Sequence, residues 1–335
     1  MTRIAINGFG RIGRNVLKAG FGKPGFNVVG INDLTDTKTL AHLLRHDSTY
    51  RGYEHKVGSD AKNLIIDGVK IPVFAEKDPT KLPWKDLQVD VVLECTGRFT
   101  DEEGAGQHIT AGAKRVIISA PAKGGNVPTF VIGVNGDKAA RSSKVINNAS
   151  CTTNCISPVA AIIEETFGIK KAMMTTVHSY TADQVLQDGP HKDLRRARGA
   201  AQNIMPTTTG AAIATSEVIP SLKGKFDGIS IRVPTPVVSL SDFTFLLKRK
   251  TTIEEVNDVL RKAVKKPPYK GVLEATDEEL VSSDFIGCEA SGVVDLPCTN
   301  VVDGDLLKLI VWYDNEWGYS HRLAELAMMV GKGLK

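Results

Sequence analysis

Residues 3–13 read RIAINGFGRIG, an apolar run Arg3-Ile-Ala-Ile-Asn7 that passes directly into Gly8-Phe-Gly10-Arg-Ile-Gly13. The run is a strand signal, and Arg11–Gly20 has the spacing of a helix, so the glycines fall in a strand-to-helix turn. In that place the pattern G-x-G-x-x-G has a physical meaning. One glycine makes the turn, one lets the backbone approach a pyrophosphate, and one lets the helix lie close on the strand. The helix start then offers N–H groups and a positive dipole end to phosphate oxygens. A glycine turn kept only for packing has the same appearance, so the surroundings must decide.

The next strand-like run, Phe26–Asn32, ends at Asp33, twenty positions after Gly13. An acid there can accept hydrogen bonds from the ribose of a dinucleotide and repels a 2'-phosphate, which favours NAD over NADP. The other reading is a helix cap, because Asp33-Leu-Thr-Asp36 also looks like a helix start. Further apolar runs at Val89–Cys95 and Arg115–Ser119, separated by helical stretches, predict a mostly parallel sheet covered on both faces.

After residue 150 the pattern changes. Ser150 is a good N-cap, Ile156, Val159, Ala160 and Ile163 recur at helical spacing, and Gly168 is placed to stop that helix. Strand-like segments follow at Ala172–His178, Gly228–Val233, Ser239–Lys248 and Leu306–Tyr313, with one capped amphipathic helix opening at Thr252-Ile-Glu-Glu255. Another amphipathic helix is expected over Ser320–Val330. Strands with few intervening helices imply a separate α+β domain with a mainly antiparallel sheet. The fold class is therefore α/β, a Rossmann-type domain plus this second domain, as the chain length of 335 residues also suggests.

Composition narrows the function. A net charge of +4 is slight for this length and argues against a dedicated nucleic-acid partner. No stretch approaches the ~20 apolar residues of a membrane span, and Met1 leads straight into the first strand without a leader pattern, so cytoplasm is expected. The five cysteines are too scattered for a disulfide framework, and no metal site is expected from them. Cys151 and Cys155 are the one close pair. On a helix they lie on the order of 6 Å apart, within disulfide range, yet a bridge is not expected in a reducing compartment.

Cys151 falls in the first turn of the helix that Ser150 caps, where dipole and N–H groups favour a thiolate. His178, at the end of a strand, is the candidate base. An NAD-binding half joined to such a cysteine suggests thiolate addition to an aldehyde, a proton taken by His178, and hydride transfer that leaves a thioester. Inert packing is the bland alternative for either residue, and it is the reading preferred for Cys155.

Ala149-Ser-Cys-Thr-Thr-Asn-Cys155, Thr176-Val-His-Ser-Tyr-Thr181, Pro206-Thr-Thr-Thr-Gly-Ala-Ala212, Arg232-Val-Pro-Thr-Pro236 and Trp312-Tyr-Asp-Asn-Glu-Trp-Gly-Tyr-Ser320, together with the glycine turn, closely resemble the glyceraldehyde-3-phosphate dehydrogenases over essentially the whole chain. The resemblance implies a phosphorylating aldehyde oxidation on a homotetramer. It implies Cys151 as nucleophile, His178 as base, and Thr181 and Arg232 as donors to the phosphate of glyceraldehyde 3-phosphate. Ser150, Thr152, Thr209 and Gly210 resemble the site for inorganic phosphate, with Arg195 in a supporting place. For NAD it implies Gly8, Gly10, Arg11, Ile12 and Gly13 at the pyrophosphate, Asp33 at the ribose, Lys77 on the adenine side, and Ser119 and Asn315 near the nicotinamide. Because Asn315 precedes the last helix, the resemblance implies an NAD-binding domain of residues 1–149 and 314–335 and a catalytic domain of residues 150–313. Leu34, where many members have proline, and Gly189-Pro190 depart from the commoner pattern and leave a dual cofactor preference open. An erythrose-4-phosphate dehydrogenase and a non-catalytic NAD-binding regulatory protein are the competing readings.

Overall fold

A computed structural model describes residues 1–334. The chain forms two compact units, one of Met1–Phe130, Asn135–Ala149 and the C-terminal segment from Ser320, the other of Val131–Val134 and Ser150–Tyr319.

The first unit runs β1 (Thr2–Asn7), α1 (Arg11–Gly20), β2 (Phe26–Asn32), α2 (Thr37–Arg45), a short ladder of β3 (His46–Asp47) with β4 (Arg51–Gly52), then β5 (Val57–Ser59), β6 (Asn63–Ile66), β7 (Val69–Phe74), β8 (Val91–Glu94), α3 (Glu102–Thr110), β9 (Arg115–Ile118) and β10 (Val145–Asn147). Its main sheet has the order β10-β9-β8-β1-β2-β7-β6-β5. The strands from β10 to β7 are parallel, and β7, β6 and β5 close one edge as an antiparallel meander. Ile4, Ala5 and Ile6 of β1, Val91, Val92 and Leu93 of β8, and Val116, Ile117 and Ile118 of β9 are all fully buried. Consecutive buried residues mean that both faces of these strands are covered, which is why they read as unbroken apolar runs rather than as alternation.

The second unit contains α4 (Cys151–Thr166), β11 (Ile169–Ser179), β12 (Met205–Thr208), α5 (Ala211–Val218), β13 (Phe226–Val233), β14 (Ser239–Leu247), α6 (Ile253–Ala263), β15 (Leu273–Thr276), β16 (Gly292–Val302) and β17 (Leu306–Tyr313). The last helix, α7 (Trp317–Lys332), starts here and belongs to the first unit from Ser320 onward. The sheet order is β12-β13-β11-β14-β17-β16-β15, antiparallel except where β11 meets β13 and β15 meets β16. Burial alternates along β14, so one face carries the core. There Phe243 stacks on Phe245 at 5.2 Å, and Ile156, Val159 and Ile163 of α4 close over them.

Ser150 caps α4, its hydroxyl accepting from Thr153 N at 3.0 Å, and Gly168 follows the helix in a left-handed conformation at φ +67°. At α6, Thr252 accepts from Glu255 N at 3.2 Å, but the Glu255 carboxylate turns to Thr251 and Arg249, so only half of the expected reciprocal cap forms. The sequence reading did not anticipate β5 to β7 between residues 57 and 74, nor β12, β15 and β16 in the second unit. Val57, Leu64, Ile66 and Ile71 are buried, but the strands are short and Leu64-Ile-Ile66 is apolar at every position, so that stretch shows no alternation to detect.

Candidate active site

In the first unit the three glycines have three different surroundings. Gly8 stands at φ +90°, and a Cβ there would come within 2.7 Å of Thr96 N. A Cβ on Gly13 would lie 2.1 Å from the Gly8 carbonyl oxygen. Gly10 has nothing within 4 Å, so only this position leaves open space over the turn. Arg14 braces the turn by donating to Phe9 O at 2.9 Å. The first intrahelical bond runs from Arg14 N to Gly10 O, so the N–H groups of Arg11, Ile12 and Gly13 have no intrahelical acceptor. The Arg11 guanidinium is engaged with Asp47 at 2.6 Å, which leaves the backbone of Arg11 and Ile12 as the part suited to phosphate.

Asp33 is tied to the same turn: Oδ2 accepts from Phe9 N at 2.7 Å and Oδ1 from Thr35 N at 2.9 Å. A carboxylate has further lone pairs, so ribose hydroxyls can still bond to it. The capping role belongs to Asp36, which accepts from Thr39 N. Asp33 shares a cleft of about 350 Å³ with Gly8, Gly10, Lys77, Thr96 and Phe99. Ser119 follows β9, bonds Glu94 O through its N–H at 3.0 Å, and reaches the Cys95 thiol, which burial pushes up to about 12. An open turn, an oriented acid and a cleft between strand ends fit NAD: the turn would take the pyrophosphate and Asp33 the ribose.

In the second unit, Cys151 occupies the first turn of α4 and His178 the penultimate position of β11. Sγ lies 3.5 Å from Nε2. His178 Nδ1 is 2.7 Å from the Ser179 carbonyl oxygen, which can only accept, so Nδ1 carries the proton and Nε2 presents its lone pair to the thiol. Burial first, then the charge of Arg232, holds His178 down at about 3, the Ser179 bond opposing them. Burial also pushes the Cys151 thiol up, against the Arg232 charge and the N–H groups of Thr152 and Cys151 at the helix start. The helix start does favour the thiolate, but in the resting site burial outweighs it, so the imidazole is needed as proton acceptor.

Arg232 stands beside His178 because the parallel register of β11 and β13 pairs the two residues. Its guanidinium donates to Thr181 Oγ1 and to Ser179 O, both at 3.2 Å. Thr181 and Arg232 thus form one donor pair next to the imidazole, suited to an anionic group. Gln184, which the sequence reading missed, accepts from Arg232 at 3.5 Å and from Thr181 N at 3.4 Å. Tyr313 was also missed: its hydroxyl links Thr152 at 2.9 Å to Thr176 at 2.8 Å, and its ring stands edge-on to His178. Tyr313 lies in the quoted Trp312–Ser320 stretch but reads as core because it is buried and closes a strand, and Gln184 stands in no quoted motif.

The remaining candidates of this unit have other contacts. The Ser150 hydroxyl serves the helix cap, and Thr152 is buried on Tyr313. Thr209 accepts from Ala211 N at 3.2 Å and Gly210 is the N-cap of α5, with open space where a side chain would stand. Helices α4 and α5 are joined by Ser157 and Thr215 at 3.0 Å. Arg195 lies on an exposed loop and donates to Pro206 O at 3.1 Å. Asn315 is buried and accepts from Ser239 Oγ at 3.0 Å, and that hydroxyl in turn accepts from Ser179 N.

Fold and site together define an NAD-dependent oxidoreductase with a thiol–imidazole centre in its second domain. The family profile described as glyceraldehyde 3-phosphate dehydrogenase, NAD binding domain, matches residues 2–102, and the one described as its C-terminal domain matches residues 150–315. Glyceraldehyde-3-phosphate dehydrogenase of Geobacillus stearothermophilus is 52% identical over 99% of both chains. Glyceraldehyde-3-phosphate dehydrogenase 2 of Synechocystis is 51% identical over 100% of both, and the chloroplastic A form of Chlamydomonas reinhardtii 50% identical over 98% of this chain and 89% of its own. The chain belongs to the glyceraldehyde 3-phosphate dehydrogenase family.

Proposed function

We propose that the protein oxidises D-glyceraldehyde 3-phosphate to 1,3-bisphosphoglycerate with NAD and inorganic phosphate. The observation that carries this reading is the 3.5 Å approach of Cys151 Sγ to the unprotonated Nε2 of a His178 whose other nitrogen is pinned. The thiol proton passes to Nε2 as sulfur adds to the aldehyde carbon, and Nε2 returns it to the alkoxide oxygen so formed, giving a hemithioacetal and a neutral imidazole. His178 accepts the hydroxyl proton as the C–H bond is oxidised, and a thioester remains on Cys151. NAD, when bound, supplies the hydride acceptor. Phosphate oxygen then attacks the thioester carbon, the C–S bond breaks, the acyl phosphate leaves, and the proton held on Nε2 returns to sulfur to restore the resting thiol and neutral imidazole.

Thr181 and Arg232 are assigned to the substrate's phosphate. Ser150, Thr152, Thr209 and Gly210, with Arg195 in support, are assigned to the attacking phosphate. The NAD-side assignments are the turn from Gly8 to Gly13, Asp33, Lys77, Ser119 and Asn315, with residues 1–149 and 314–335 as NAD-binding part and 150–313 as catalytic part.

The homotetramer that the family resemblance implies needs surfaces for contact between copies, and the face of the second sheet opposite its core offers one. Met173 is 58% exposed and Ile229 47% exposed, and Val177, Leu240, Leu246 and Ile310 are only partly covered. A broad face of this kind suits a second copy of the chain. All five cysteines are free, in keeping with a reducing cytoplasm, and no helix among the described residues is long and apolar enough to cross a membrane.

The test is NADH formation with glyceraldehyde 3-phosphate or erythrose 4-phosphate, each with and without phosphate. Faster, phosphate-dependent turnover of the three-carbon substrate is expected. Preference for erythrose 4-phosphate would move the assignment to the sister activity.

A further inference from the structure

Behind the NAD cleft lies a polar cluster that the proposed chemistry does not use. Glu94, the last residue of β8, is 1% exposed, and His108 of α3 and Trp84 are fully buried. Trp84 Nε1 donates to His108 Nδ1 at 2.9 Å. An indole only donates, so His108 carries its proton on Nε2, which lies 3.1 Å from Glu94 Oε2. Asn7 Nδ2 donates to the same oxygen at 2.5 Å. The other oxygen, Oε1, accepts from Thr96 N at 2.8 Å and from the Thr96 hydroxyl. Glu94 therefore meets four donors and no acceptor.

Both oxygens lead to residues that line the cleft. Beyond Oε2, Asn7 Oδ1 accepts from Asn32 Nδ2 at 2.7 Å, and Asn32 exchanges bonds of 2.9 Å with both the N–H and the carbonyl of Glu76. Beyond Oε1, Thr96 Oγ1 accepts from Arg98 N at 3.0 Å. Asn7, Asn32, Glu76, Thr96 and Arg98 all line the cleft, whereas Glu94 and His108 do not.

We infer that Glu94, oriented by His108, is a positioning residue for NAD: one oxygen fixes the Asn7–Asn32–Glu76 part of the lining and the other fixes Thr96–Arg98. The bond directions are fixed from both ends: the carboxylate can only accept from Asn7, and the N–H and carbonyl of Glu76 set the Asn32 amide, so Asn7 must turn Nδ2 to Glu94 and Oδ1 to Asn32. An amide at position 94 presents N–H to at least one donor, and reversing Asn7 to accommodate it sets Nδ2 against Nδ2 of Asn32. A polar mismatch in a buried chain then propagates to the Glu76 backbone. The inference rests on the NAD reading of this cleft.

The test is Glu94→Gln, with ADP-ribose binding measured by calorimetry, unfolding of the cofactor-free protein, and the separate KM for NAD and kcat. The ADP-ribose Kd and the KM for NAD are expected to rise together by about tenfold or more, with kcat at saturating NAD within about twofold. A folded Glu94→Gln protein that binds ADP-ribose like wild type overturns the proposal and leaves the NAD reading intact. So does a fall in kcat with KM unchanged. Wild-type protein that does not bind ADP-ribose overturns both. If Glu94→Gln does not fold, Asn32→Ala decides, because it cuts the chain near its outer end: a loss of about threefold or more in ADP-ribose affinity is expected, and unchanged affinity overturns the proposal.

Discussion

At the glycine turn, the residues that shape one edge of the NAD cleft lie within a single β1–α1–β2 stretch, and Asp33 is hydrogen-bonded directly to Phe9 of that turn. The thiol centre is assembled differently. Cys151 comes from a helix start, His178 from β11 and Arg232 from β13, and what brings His178 and Arg232 together is the register of two parallel strands. The first turn is set by local backbone geometry and is proposed to bind the cofactor, while the second site is set by long-range pairing and is proposed to carry the chemistry. Substitutions should therefore separate, the second unit governing kcat and the first governing affinity for NAD.

Cys151→Ser gives the largest expected effect, a loss of kcat of at least about a thousandfold with ADP-ribose binding unchanged by calorimetry. Residual turnover near wild type would remove Cys151 from the mechanism. His178→Asn keeps a polar side chain but no base at Nε2, and kcat is expected to fall by about 10²- to 10⁴-fold. If instead NAD affinity falls and kcat does not, the division of labour between the units fails.

Arg232→Ala removes a charge-assisted donor, so the kcat/KM for glyceraldehyde 3-phosphate should drop by about ten- to a hundredfold. Unphosphorylated glyceraldehyde, which offers no anion, should lose much less. Equal losses for the two aldehydes would show that Arg232 acts on His178 rather than on phosphate. Asp33→Ala should lower the NAD-over-NADP ratio of kcat/KM by about tenfold with little change in kcat, and an unchanged ratio would mean that the ribose is read elsewhere.

The smallest effect concerns stability. His321, on the α7 segment of the first unit, is held at about 3 by burial, with Lys23 and Arg322 adding to it. Its folded pKa lies below the unfolded value of about 6.5, so the unfolded chain binds a proton that the folded chain refuses. The stability it contributes is present above pH ~6.5 and is lost as the pH falls toward 3, by about 2 kcal/mol at pH 5. His321→Gln should flatten the fall in melting temperature between pH 7 and 5 without altering kcat at pH 7.

The contrast between the two regions also explains what could be read in the sequence. Gly8, Gly10, Gly13 and Asp33 follow from spacing because a strand, a turn and a helix are local objects, and the space around each glycine differs as the motif requires. Ser150 as cap and Cys151 in the first turn were legible for the same reason. That His178 meets Cys151 was not, since no spacing encodes the distance between a helix start and a strand end; only the family resemblance supplied it. Glu94 illustrates a third case. It closes an apolar strand as a lone acid, a visible anomaly, yet its partners His108 and Trp84 come from elements that sequence periodicity does not connect.

The central claim is that oxidation leaves an acyl group on Cys151 which phosphate removes. Rapid mixing of enzyme, NAD and glyceraldehyde 3-phosphate, with NADH absorbance followed, tests it directly. Without phosphate, a burst of about one NADH per Cys151 should form and then stall, and added phosphate should restore steady turnover. Steady turnover without phosphate, at the same rate as with it, would contradict the account.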